Sequence, residues 1–145
     1  MAFRFTLATV LRLREIAEER EERALSQILK EIAQAHQNLA DIQARRVRII
    51  ALREVQLRAR MSAAEIHISQ GEIKALDLRE KDAQAHIRKL DGLRQQQVKV
   101  YETEHRKREL LAGLREQQLY AYRREQTRQE QNMMDDNFSA RRALR

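Results

Sequence analysis

The sequence has no cysteine, no proline and no tryptophan, and only three glycines among its 145 residues. Without cysteine it can form neither a disulfide framework nor a thiolate metal site. Aromatic residues make up 4% of the chain and charged residues 35%, so it is poorly supplied for a compact globular core. No stretch approaches the roughly 20 apolar residues that a membrane-spanning helix needs. Arg4, Arg12 and Arg14 break the apolar run that a signal peptide would need at the start of the chain. We therefore expect a cytoplasmic protein.

Strong helix formers dominate what remains, chiefly Ala, Leu, Glu, Gln and Arg. This composition is typical of a long helix or a coiled coil. The net charge of +7 is spread along the chain, except that Arg45–Arg60 holds six arginines against one acidic residue, Glu54. Such a segment is either a solvated helix face or a surface that attracts an acidic protein, nucleic acid or anionic lipid.

Two apolar stripes have coiled-coil spacing. Alternate steps of four and three from Leu7 reach thirteen positions up to Ile49, of which nine are apolar. The polar positions are Arg14, Glu18, Glu21 and Arg46. At the first three we expect the register to slip onto Leu13, Ile16, Ala17 and Ala24. The second stripe runs through Ile66, Ile73, Leu76, Ala83, Ile87 and Leu90, and we expect it to slip onto Leu93, Val100, Leu111, Leu114 and Ala121.

The turn between the stripes is predicted by Ser62 and Glu65, which have the spacing of a capping box. Gly71 is an alternative bend. The prediction is an all-α fold, a single antiparallel two-stranded coiled-coil hairpin over residues 1–145 with unequal arms. Its parts are helix 1 at about 5–57, a bend at about 58–62, helix 2 at about 63–133 and a C-terminal tail at about 134–145.

An internal repeat supports a continuous helical face. Residues 90–97 match residues 111–118 at six of eight positions, an offset of three whole heptads that places Gly92 and Gly113 on one face. Glycine inside a helix costs about 1 kcal/mol relative to alanine. The two glycines therefore indicate either close packing or points of bending.

No catalytic constellation is visible. The four histidines, at 36, 67, 86 and 105, lack metal-ligand spacing, and the isolated glycines form no phosphate-binding loop. We therefore expect no enzyme activity, no metal and no cofactor. A basic-region zipper would place its cations just before a clean heptad block, which this chain does not do, so nucleic-acid binding is a minor alternative.

The chain ends are rich in apolar residues. Phe3 and Phe5 lie at one terminus and Phe138 at the other, so an antiparallel hairpin should bring all three phenylalanines to one end. They either cap the helices against fraying or form an apolar tip that inserts into a partner.

Three features resemble the flagellar FliJ family. The opening reads Phe-x-Phe-x-Leu-x-x-Val-Leu-x-Leu-Arg from Phe3 to Arg14, and the ending reads Glu-x-x-x-Met-Asp-Asp-x-Phe-x-x-Arg from Glu130 to Arg141. The helix–bend–helix layout, at nearly the family length, lies between them. The resemblance implies a non-catalytic stalk of the flagellar type III export apparatus. The equivalent stalk of an injectisome and a coiled-coil export chaperone or scaffold are the alternatives.

The resemblance also implies partners and sites. The partners would be the hexameric export ATPase, the cytoplasmic domain of the export gate and, for some members, export chaperones. The protein would then be cytoplasmic and peripherally associated with the inner-membrane export apparatus. The residues matching the ATPase-ring contact are Phe3, Phe5, Leu7, Val10, Leu11, Met134, Asp135 and Phe138. Those matching the export-gate contact are Asn38, Ile42, Arg45, Ile49, Glu72 and Leu76.

Overall fold

The computed structural model describes residues 2–144, which form two α-helices and no strand. Helix α1 spans Ala8–Arg58 and helix α2 spans Ala63–Ala143. The two helices pack against each other, and the predicted all-α hairpin is confirmed. The single-domain extent over 1–145 stays a prediction.

The chain divides into two compact units, which are described separately. Unit 1 comprises Met1–Arg20 with Tyr101–Arg145, and unit 2 comprises Glu21–Val100. Each unit contains one stretch of α1 and one stretch of α2. Two cross-helix contacts in each unit show that the chain segments run antiparallel there. They are Phe3–Tyr122 and Glu18–Arg108 in unit 1, and Glu21–Gln97 and Arg46–Asp77 in unit 2.

The connection between the helices lies in unit 2 and is closed by two caps. Arg60 has a φ of 67°, the left-handed conformation that ends many helices, and its N–H donates to the Leu57 carbonyl at 3.4 Å. Helix α2 then begins with the predicted capping box, which is confirmed. The Glu65 N–H donates to Ser62 Oγ at 3.2 Å, and the Ser62 N–H donates to Glu65 Oε2 at 3.3 Å. Helix α2 is continuous through Gly71, where the alternative bend was placed.

The far end of α2 differs from the expectation. We expected a tail from about residue 134, but the helix continues to Ala143. No proline or glycine follows Gly113, so nothing in the backbone chemistry stops the helix there. Arg141 and Arg142 lie in the last turn, where positive charge stabilises the helix C-terminus.

The seam keeps one register along each helix, so most of the predicted slip residues lie outside it. Leu111 lies in the seam, and Ala17 and Ala24 are half-buried beside it. Leu13, Ile16, Leu93, Leu114 and Val100 are all exposed. The polar positions Arg14, Glu18 and Glu21 stay in the seam of α1 and are half-buried. The corresponding seam positions of α2 from residue 94 onward are Arg94, Gln97, Tyr101, Glu104, Arg108 and Leu111, all half-buried.

Full burial is rare because each helix has one neighbour. Among residues 2–144, the buried ones are Phe5, Leu11, Ala35, Leu76, Ala83 and Leu90, all at 9% exposure or less. All are apolar, and a fully buried leucine contributes about 1.5–3 kcal/mol. Close packing within residues 2–144 does not require Gly92 or Gly113, since a Cβ at either would meet nothing within 4 Å. A role as points of bending stays a prediction.

Candidate functional site

The start of α1 is anchored to α2 within unit 1. Phe5 is only 8% exposed, and its carbonyl accepts from the Ala8 N–H at 3.1 Å. The rings of Phe3 and Tyr122 pack at a tilt, with centroids 5.5 Å apart. Leu11 is buried in the first turn of α1. These predicted ring-contact residues therefore hold the hairpin together at this position.

The rest of the predicted ring-contact set lies on exposed helix. Every residue from Arg123 to Leu144 is exposed. Within this projecting segment Met134 and Phe138 are 70% and 66% exposed, and their spacing of four places them on one face with Asp135 beside them. The segment is therefore a single helix with an apolar face that no part of residues 2–144 covers.

The structure does not bring the three phenylalanines together. Phe138 lies 16 residues beyond Tyr122 on α2, about 24 Å along the helix at 1.5 Å per residue. The expectation of one terminal cluster was therefore wrong, because it assumed that helix 2 ended near residue 133. Val10, also predicted for the ring contact, is exposed, and Leu7 is half-buried.

A network of charges crosses the seam of unit 1. Arg108 Nε donates a hydrogen bond to Glu18 Oε2, and Arg14 Nη1 lies 3.9 Å from Glu104 Oε2. His105 lies between two carboxylates, with Nδ1 3.5 Å from Glu18 and Nε2 2.9 Å from Glu109. The hydrogen bond to Glu18 raises the pKa of Arg108, which stays charged over the ordinary pH range. In the sequence, this network was indicated only by the polar residues Arg14 and Glu18 at positions where the heptad spacing calls for apolar ones.

Unit 2 has its own cross-helix polar contacts. Gln97 Nε2 donates to Glu21 Oε2 at 2.6 Å and to the Glu21 carbonyl at 3.1 Å. Arg46 Nε lies 2.8 Å from Asp77 Oδ1, and its Nη1 lies 3.6 Å from Glu80 Oε2. Arg46, at a polar seam position, is therefore matched by acidic residues on α2. One arginine of the basic Arg45–Arg60 segment thus has a structural partner.

Four of the six residues predicted for the export-gate contact line one cleft in unit 2. Arg45, Ile49, Glu72 and Leu76 surround a cavity of about 140 Å³ together with Ala75 and Arg79. Leu76 is 3% exposed and forms its floor, whereas Arg45 and Glu72 are exposed at its rim. Ile42 is half-buried in the seam and Asn38 is exposed on α1. The cleft therefore offers two arginines and one glutamate above an apolar floor.

No group of three or more His, Cys, Asp or Glu side chains within residues 2–144 could hold a metal ion. In the same range, neither helix has an apolar stretch that could cross a membrane.

The comparison with known families agrees with this architecture. Residues 3–145 match the model of a family described as "Flagellar FliJ protein". No curated protein and no solved structure matches the chain. The family match spans both helices and their connection. The chain therefore belongs to the flagellar FliJ family, whose members are components of the flagellar export apparatus.

Proposed function

We propose that this chain is the non-catalytic stalk of the export apparatus, and that the end of unit 1 enters the hexameric export ATPase. The observation that carries the proposal is the projecting segment of α2, an exposed single helix with Met134 and Phe138 on one face. An exposed face with a Met and a Phe suits adaptable contact with a partner. Bound there, the chain would promote assembly of the ring and raise its ATPase activity.

Burial separates the predicted contact residues into those that can reach a partner and those that hold the hairpin together. Phe5 and Leu11 are buried within unit 1, so replacing them would damage the hairpin before it affected a partner. Met134, Asp135 and Phe138 are exposed and can reach a partner without any rearrangement. Val10 is the exposed member of the predicted set on α1.

The test is ATPase turnover and hexamer formation of the flagellar export ATPase, measured with and without this chain. We expect the wild-type chain to stimulate both, and Met134→Ala with Phe138→Ala to lose at least about 1.4 kcal/mol of binding, a tenfold weakening. Leu110→Ala is the matched control, because Leu110 is an exposed apolar residue of α2 in the same unit. Circular dichroism should show all variants equally helical.

Two results would contradict this proposal. If the wild-type chain left the ATPase unchanged, the stalk function would be lost. A stable homodimer would then favour a scaffold, and binding of export substrates' chaperones would favour a chaperone role. If Leu110→Ala weakened stimulation as much as the double change, the projecting segment would not be the contact.

We further propose that the cleft in unit 2 contacts the cytoplasmic domain of the export gate, which would hold the protein peripherally at the inner membrane. The proposal is supported by Arg45 and Glu72 at the rim of one cleft. Arg45→Glu should weaken binding of the purified gate domain, whereas Arg48→Glu, an exposed arginine outside the cleft lining, should not. Equal effects of the two changes would show that only net charge matters.

A further inference from the structure

A second row of apolar and small residues follows helix α2 within unit 2, on the side away from the seam. Its members, here called the outer stripe, are Ala64, Ile68, Gly71, Ala75, Leu78 and Ala85. Successive members are alternately four and three residues apart. Between Leu78 and Ala85 the corresponding position is occupied by a polar residue, Asp82. With the seam residues of α2 at heptad positions a and d, the outer stripe occupies c and f.

The outer stripe has no partner within residues 2–144. All six members are exposed, and the largest, Ile68 and Leu78, are 64% and 63% exposed. Apolar residues at heptad spacing are the pattern that allows two helices to pack side by side with interlocking side chains. Since the seam of α2 is already occupied by α1, the outer stripe provides a second seam for a third helix.

Gly71 at the centre of the outer stripe gives open access to the backbone. Its φ is not positive, so the backbone conformation does not require glycine. A Cβ added there would meet nothing within 4 Å, so packing inside the chain does not require glycine either. Glycine and alanine are the residues that allow a second helix to approach closely, and Ala75 is one turn away.

One edge of the outer stripe is basic. The residues at heptad position b are His67, Lys74, Lys81 and Arg88, all exposed and spaced by seven. Within residues 2–144, the three cations of this basic row have no ion pair. At the other edge, position g, charges are mixed, with Glu65 and Glu72 followed by Arg79 and His86. An apolar stripe beside a row of free cations is complementary to a helix that carries acidic residues next to its own apolar stripe.

We propose that the outer stripe docks an acidic amphipathic α-helix of another protein, with the acidic side chains against the basic row. The length fits, because Ala64 to Ala85 covers three heptads, about 32 Å of helix. The interaction does not need the projecting segment on which the proposed stalk function rests. Ala75 is shared with the lining of the 140 Å³ cleft, whereas Ile68 and Leu78 lie outside that lining.

A second copy of this chain is a poorer occupant. In an antiparallel pair through the outer stripe, Lys74, Lys81 and Arg88 of one copy would face the same residues of the other. Like charges placed opposite each other across an interface oppose association. In a parallel pair the basic row would face position g, where Glu65 and Glu72 attract it but Arg79 repels it, a poorer match than a helix that is acidic throughout.

The test uses a synthetic peptide of about four heptads with Leu at a and d and Glu at e and g. Such a peptide repels itself and is unfolded alone, so a gain of helical circular dichroism on mixing reports binding. We expect it to bind the full-length wild-type chain, and a version with Lys in place of Glu not to bind. Ile68→Ser with Leu78→Ser, and separately Lys74→Glu with Lys81→Glu, should each weaken binding by about tenfold or more.

Matched controls distinguish an effect of the outer stripe from the general effects of losing exposed apolar residues or of changing the net charge. Val47→Ser with Val55→Ser removes two apolar residues of α1 in unit 2 with similar exposure, 66% and 64%. Arg23→Glu with Lys30→Glu changes the net charge as much as the Lys74 and Lys81 changes do. Both controls should bind the peptide as the wild type does, and circular dichroism and thermal unfolding should show every variant folded.

Four outcomes would overturn the proposal. They are no binding of the acidic peptide, equal binding of the Lys peptide, equal loss in the control variants, and a wild-type dimer that Ile68→Ser with Leu78→Ser converts to a monomer. The last would assign the outer stripe to a second copy. Co-sedimentation with phosphatidylserine vesicles that the same change abolishes, without peptide binding, would assign it to a membrane surface.

Discussion

Arg108 on α2 donates a hydrogen bond to Glu18 on α1 across the seam of unit 1. The two side chains are 27% and 14% exposed, so each is largely withdrawn from water and each satisfies the other. A hydrogen bond between charged groups is stronger than one between neutral groups. The pair therefore holds polar residues at positions where a coiled coil normally has apolar ones.

Removing one partner of this pair should destabilise the hairpin. Glu18→Ala leaves the Arg108 guanidinium half-buried without its main acceptor, and we expect the free energy of unfolding to fall by about 1–3 kcal/mol. Changing both residues to Leu should restore or exceed wild-type stability, because an apolar pair needs no desolvation of charge. Urea unfolding followed by circular dichroism measures both effects.

Arg12→Ala is the control for that experiment. Arg12 forms an exposed pair with Glu15 at 3.1 Å on the same helix, and its removal should change stability by less than about 0.5 kcal/mol. If Glu18→Ala cost no more than this, Glu18 and Arg108 would be an incidental surface pair.

The left-handed conformation of Arg60 predicts a stabilising change. A φ of 67° brings Cβ close to the backbone in any residue except glycine. Arg60→Gly should therefore raise the free energy of unfolding by about 0.5–1 kcal/mol, after the entropy that glycine adds to the unfolded chain. Arg58→Gly, at the last residue of α1, should lower it instead, and thermal unfolding distinguishes the two. A loss of stability in Arg60→Gly would contradict the assigned conformation.

The capping box predicts that Ser62 contributes more than an ordinary serine. Ser62→Ala removes the acceptor of the Glu65 N–H and should lower the free energy of unfolding by about 1 kcal/mol. Ser26→Ala, at an exposed position inside α1, should be neutral or slightly stabilising, since alanine is the better helix former. Equal midpoints in urea for the two variants would rule out the cap as a stabilising feature.

Substitutions of Leu76 and Leu78, which are two residues apart, should distinguish a residue that stabilises the fold from one that is available for binding. Leu76 is 3% exposed in the seam, whereas Leu78 is 63% exposed in the outer stripe. Leu76→Ala should cost about 2–4 kcal/mol through lost burial and the cavity left behind, and Leu78→Ala less than about 0.5 kcal/mol. A large loss of stability in Leu78→Ala would place that side chain in a core, which the outer-stripe proposal excludes.

Much of the architecture could be predicted because its causes are local or periodic. The capping box depends on two residues three apart, Ser62 and Glu65, and the structure confirms it. The alternate steps of four and three from Leu7 reach positions of α1 that are all buried or half-buried. The periodicity was therefore a better guide than the hydrophobicity of individual residues, which suggested the slips onto Leu13 and Ile16.

The candidate contact surfaces were predicted less well. Grouping Phe3, Phe5 and Phe138 required knowing where α2 ends, and a helix without a stop signal gives no such information. The outer stripe was not predicted at all, because none of its residues belongs to the predicted seam of helix 2 and the sequence analysis followed that seam alone. Its signal, a second heptad row through Ile68 and Leu78, was present in the sequence.

By itself, the sequence determined that the chain would form long helices, where it would turn and which face of each helix would carry a seam. These follow from propensity, capping and spacing, which act over a few residues. Only the tertiary structure decided that Glu18 stays in the seam, because its partner Arg108 is 90 residues away along the chain. It also decided which apolar residues remain exposed, since the chain has more apolar positions than one two-helix seam can cover.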